Sequence, residues 1–81
     1  MNQTNKIAKI KWACRGGMLE LDFILIEFLE HKLQSLSEDE QDALLVYLEN
    51  PDPDLYSWLM GYKEPESEAD IAMTRMIRNS E

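Results

Sequence analysis

Apolar residues recur along this chain at helical spacing, and five segments follow from that pattern. In the first, Ile7, Ile10, Ala13 and Cys14 fall on one face with lysines between them, and Thr4 or Asn5 can cap its start. Gly16-Gly17 ends it, since glycine readily adopts the left-handed conformation that closes a helix. The second segment, about Met18 to Leu33, is the most apolar, with Leu21, Phe23, Ile24, Leu25, Ile26, Phe28, Leu29 and Leu33 on nearly every side. That pattern predicts a helix surrounded by others. Alternation around Leu21–Ile26 could also suit a strand, but the segment's length and the acids at Glu20, Glu27 and Glu30 favour helix.

Polar punctuation places the remaining three. "SEDE" at residues 37–40 is a capping box: Ser37 and Glu40 can satisfy each other's free backbone amides. The helix it opens runs through Leu44, Tyr47 and Leu48 and stops at Asn50-Pro51. Asp52 as N-cap and Pro53 at the first helical position start a short helix with Leu55, Trp58 and Leu59 inward, closed by Gly61. After the polar "YKEPESE" loop, Ser67 and Asp70 open a last helix whose stripe is Ala72, Met73, Met76 and Ile77. The predicted fold is all-α, a compact five-helix bundle forming one domain over residues 1–81, with Met18–Leu33 as its buried central helix.

Composition narrows the function classes. The chain has 81 residues and one cysteine, Cys14, so an internal disulfide cannot staple the small core. A lone thiol, and an N-terminus "MNQTNKIAKIKW" without an apolar signal region, lead to an expectation of the cytoplasm. No apolar run is long enough to insert in a membrane. The net charge of −8 divides unevenly: the first 16 residues hold Lys6, Lys9, Lys11 and Arg15 and no acid, for +4, and the rest of the chain carries −12. An acidic body repels phosphate backbones, so nucleic acid is not an expected partner, although the basic first helix could be compared with those of helix-turn-helix modules. The basic segment is expected to pair with the acidic body rather than face an acidic partner.

Candidate chemistry is sparse. His31 is the only histidine and sits near a helix end, where a cation complements the helix dipole. Cys14 lies on an apolar stripe with no second cysteine or nearby histidine to make it a nucleophile. "SEDEQD" and "NPDPD" match no metal-binding loop, and "RGG" follows no strand and is no dinucleotide fingerprint. What remains is the stretch "CRGGMLELD", where the charge sign reverses across two glycines. It reads either as a tight helix connection or as a rigid corner that exposes backbone amides and two opposite charges.

"KWACRGGMLELD", "SLSEDE" and "DPDLYSWLMG" together resemble the SdhE-type FAD assembly factors, in the family's order and spacing over nearly the whole chain. The resemblance implies a small five-helix bundle and a non-enzymatic role. Such a protein binds the flavoprotein subunit of succinate dehydrogenase, and in bacteria that of fumarate reductase, and promotes covalent FAD attachment to a histidine of that partner. It implies that FAD belongs to the partner, with no cofactor or metal held stably by this chain, which is expected to be a monomer. The family's hallmark is an exposed R-G-x-x-E motif after the first helix. Gly17 and Glu20 match its glycine and glutamate, but Gly16 stands at the arginine position and Arg15 alone remains of the usual pair. The implied partner-binding residues are Arg15 toward an acidic group, Gly16 and Gly17 for close backbone approach, and Glu20 toward a basic group or amide. Trp12 and Lys11 extend that surface. An alternative within the family is an antitoxin-like regulator with a different bacterial protein as client.

Overall fold

The computed structural model describes residues 3–14 and 18–79, with side chains from residue 6 onward. Its elements are α1 (Gln3–Ala13), α2 (Leu19–Lys32), a 3-10 turn (Leu33–Ser35), α3 (Glu38–Tyr47), α4 (Asp52–Leu59) and α5 (Glu68–Arg78). The described residues contain no strand, so the alternation at Leu21–Ile26 is helical. In space α1 packs on α3, α3 on α5, α5 on α4, and α4 on α2.

Local chemistry sets most helix ends. Ser37 Oγ accepts from the Glu40 amide at 3.1 Å, and the Glu40 carboxylate accepts from the Ser37 amide at 2.9 Å. This is the capping box expected from the sequence. Ser67 likewise accepts from the Asp70 amide at 3.1 Å. Gly61, at φ 83°, takes the left-handed position after α4. Around it the Tyr62 amide donates to the Ser57 carbonyl at 2.8 Å and the Gly61 amide to that of Trp58 at 3.2 Å. These two bonds form a Schellman motif, which satisfies the carbonyls that α4 leaves free.

Several boundaries differ from the sequence reading. α1 begins at Gln3, ahead of Thr4 and Asn5, which are helical instead of capping. α4 is entered one residue earlier than expected. Pro51 is the N-cap in extended conformation, Asp52 the first helical residue and Pro53 the second, where an amide would still lack an intrahelical acceptor. α2 stops at Lys32, and Leu33 enters the tighter 3-10 turn, where the Ser35 hydroxyl donates to the Lys32 carbonyl at 2.9 Å.

The core gathers Ile10, Cys14, Leu21, Leu25, Phe28, Leu44, Tyr47, Leu55, Trp58, Met73 and Ile77, with Leu29, Leu33, Leu36 and Leu59 around them. Ala13 and Ala72, assigned to core stripes from spacing, are exposed. Ile10 and Cys14 are a full turn apart and set the inward face of α1, which turns Ala13 out. On α5 the inward place goes to Thr74, whose hydroxyl shares a 2.8 Å hydrogen bond with the Tyr47 hydroxyl. α2 supplies much of the core, but one face only: Phe23, read as part of an all-round apolar surface, is 69% exposed. Of the basic first segment, Lys6 pairs with the body. Lys6 bridges to Glu38 at 3.3 Å and Asp42 at 3.0 Å, clipping α1 to α3. The hydrogen bond to Asp42 raises the Lys6 pKa, partly offset by loss of solvent and aided by Glu38.

Two core groups bind their protons more tightly in the folded state. Burial pushes the Cys14 thiol from 9.0 up to about 12, with the Asp22 charge adding to it. Burial also lifts Tyr47 from 10.0 to about 12, against the Thr74 hydrogen bond, which acts the other way. An acid with a raised folded pKa contributes stability that is intact below its unfolded value and lost as pH climbs to the folded one. Urea unfolding midpoints should therefore hold up to about pH 9 and fall progressively toward pH 12. A midpoint unchanged across that window would contradict the burial of both groups. Separately, Tyr47→Phe orphans the Thr74 hydroxyl and should cost about 1–2 kcal/mol, read as a lower urea midpoint with unchanged slope.

Candidate functional site

The corner between α1 and α2 is assembled from two helix ends whose inward residues decide what faces out. At the end of α1, Ile10 and Cys14 are buried, and the Cys14 amide continues the helix by donating to the Ile10 carbonyl at 3.1 Å. With those two pointing inward, Lys11 and Trp12 must point outward, and Trp12 is 81% exposed. α2 opens on Met18, a half-buried N-cap in extended conformation that offers no side-chain cap. Its carbonyl accepts from the Asp22 amide at 2.9 Å. Glu20 and Asp22 lie in the first turn, where carboxylates complement the positive end of the helix dipole.

Of the expected site residues, Lys11, Trp12 and Glu20 are all exposed. Among the described residues no ion pair engages Glu20. Arg15, Gly16 and Gly17 lie outside the described residues. Cys14 lies directly before them in sequence, beneath the surface, with its thiol held protonated at neutral pH by burial. It serves as packing and offers no accessible nucleophile.

The structure adds residues that sequence reasoning assigned to the core or passed over. Leu19 is 80% exposed beside Glu20, and Phe23 follows one turn later on α2. Lys11 also lines a groove of about 480 Å³ with Ile26, Leu29, Glu30, His31, Leu33 and Gln34. The signal for these was present: α2 is apolar on two opposite sides, and only one of them finds helices to pack against. His31, in the last turn of α2 with Lys32, is exposed, which suits the dipole role expected for it. Among the described residues no group of three His, Cys, Asp or Glu side chains could hold a metal ion. None of the described helices is long and apolar enough to cross a membrane.

Fold and surface together define a small all-helical protein with exposed Lys11, Trp12 and Glu20 on either side of the α1–α2 connection. The sequence profile of the flavinator of succinate dehydrogenase matches residues 8–81. The FAD assembly factor SdhE of Vibrio cholerae is 49% identical over 70 residues, covering 86% of this chain and 81% of its own. That of Coxiella burnetii is 44% identical over 78 residues, covering 96% and 95%. That of Yersinia pseudotuberculosis is 43% identical over 72 residues, covering 89% and 82%. The solution structure of a UPF0350 protein superposes with a TM-score of 0.74 at 45% identity, over 95% of this chain and 82% of that one. The chain belongs to the family of succinate dehydrogenase flavinators, the FAD assembly factors.

Because Trp12 and Glu20 project from the surface, Trp12→Ala and Glu20→Ala should each shift unfolding free energy by no more than about 0.5 kcal/mol. Chemical denaturation of the two variants checks this; a larger loss would mean that these side chains support the fold.

Proposed function

We propose that this chain is a FAD assembly factor that binds the flavoprotein subunit of succinate dehydrogenase and promotes covalent attachment of FAD to it. The observation that carries the reading is that Lys11, Trp12 and Glu20, which flank the family motif in sequence, are all exposed. The flavoprotein subunit of fumarate reductase is a second client under the same reading, and the chain acts as a cytoplasmic monomer.

The work is positional. FAD and the reacting histidine belong to the partner, and holding them aligned replaces a rare encounter with a preset one. This chain is poorly suited to grip FAD itself, since its net charge is −8 and Glu30 lines the groove beside Lys11, both unfavourable to a pyrophosphate. Arg15 meets an acidic group on the partner, Gly17 allows close backbone approach, and Glu20 meets a basic group or backbone amide. Gly16 stands at the motif's arginine position and supplies no guanidinium fork.

The test mixes the chain with cofactor-free flavoprotein subunit, adds FAD, and measures flavin fluorescence that survives denaturation. Wild-type chain should raise the yield of covalent flavin, and Glu20→Ala should lower that gain at least about tenfold, as for loss of a charged contact. Full support by Glu20→Ala would remove Glu20 from the interface. In the same assay Gly16→Arg should speed flavinylation; no gain would show that the second arginine is dispensable here.

A further inference from the structure

The exposed side of α2 carries an apolar stripe that no described helix covers. At about 100° per residue, Leu19, Phe23 and Ile26 fall within about 60° of one another, opposite the buried Leu21, Leu25 and Phe28. Leu19 and Phe23 are largely exposed and Ile26 is half-buried. The stripe begins beside Glu20 and runs about 10 Å along α2 to Ile26, where it meets the groove lined by Lys11, Ile26, Leu29, Glu30, His31, Leu33 and Gln34. One of its ends therefore adjoins Glu20, and the other contains Lys11, both residues of the proposed corner.

We infer that this stripe is the apolar anchor of the docking surface, seating a segment of the flavoprotein client that is apolar on one side and basic along its rim. The inference rests on the assembly-factor reading above. Three observations choose this occupant. The stripe is continuous with Glu20 at one end and Lys11 at the other. Its rim carries the exposed carboxylates of Glu20, Glu27 and Glu30, against the Lys11 ammonium and His31 across the groove, so the balance favours a basic partner. A second copy of this chain would bring the same acids face to face. The two most exposed side chains also offer only roughly 300 Å² of apolar area, well short of the roughly 800 Å² per partner of a stable interface. That is the size of an anchor within a larger heteromeric contact. An i, i+4, i+7 arrangement over two turns matches the way one helix seats against another.

Leu19→Gln/Phe23→Gln tests the anchor without opening the core, since both side chains are exposed and glutamine is a good helix former. Binding to purified cofactor-free flavoprotein subunit should weaken at least about tenfold, with the circular dichroism spectrum and urea midpoint unchanged. Glu27→Gln/Glu30→Gln should flatten the salt dependence of binding. If wild type and the Leu19/Phe23 variant bind equally while Glu20→Ala does not, the anchor is overturned and the corner reading stands. If wild type does not bind the flavoprotein at all, both fall. If sedimentation shows a wild-type dimer that Leu19→Gln/Phe23→Gln dissolves, the stripe belongs to a second copy and the inference is overturned.

Discussion

Tyr47 sits where three helices must agree. Its hydroxyl shares a buried hydrogen bond with Thr74 on α5, and its ring meets that of Trp58 on α4 at a centroid distance of 5.9 Å. Its carbonyl accepts from the Asn50 side chain at 2.8 Å, which secures the turn out of α3. A phenol can be buried only if its polar end finds a partner, so the register of α5 against α3 is set by where Thr74 can reach. An apolar residue at position 74 would leave the Tyr47 hydroxyl orphaned, while a slip of α5 would lose Met73 and Ile77 from the core. The fold therefore tolerates a polar pair at its centre because that pair specifies a single arrangement.

The helix ends that flank the α1–α2 connection combine buried residues, Ile10, Cys14 and Leu21, with exposed ones. α1 is held from the side by the Lys6 bridges to Glu38 and Asp42 and from beneath by Ile10 and Cys14. Those contacts leave Trp12, Leu19 and Phe23 in solvent, an arrangement that disfavours solubility unless something covers it in use. The surrounding acids offset that liability in the free protein and bias which partners can approach. Rigidity below and unsatisfied apolar surface above suit a protein whose effect is to hold another molecule in place.

Much of this could be read from the residues alone. The capping box at Ser37–Glu40, the Ser67 cap and the Gly61 stop were all recognisable, because each is decided by side chains within a few positions of the backbone groups they satisfy. At the candidate site the exposure of three residues was legible: Lys11, Trp12 and Glu20 face outward as their positions beside Ile10, Cys14 and Leu21 imply. Single-position errors occurred where two local solutions are nearly equal, as at Pro51, Asp52 and Pro53, each of which can stand at the start of a helix.

What the residues could not reveal is which apolar side of α2 would find a neighbour. Leu21, Leu25 and Phe28 on one side and Leu19, Phe23 and Ile26 on the other are equally hydrophobic in composition. Only the packing of the helices separates them, burying the first set and leaving the second exposed or half-buried. Thr74 taking the inward place beside Met73, with Ala72 turned out, is the same kind of outcome, since its value depends on a tyrosine 27 residues away. Helix positions follow from short-range hydrogen bonding that the chain carries with it everywhere; burial is a relation between distant segments and exists only once they have met.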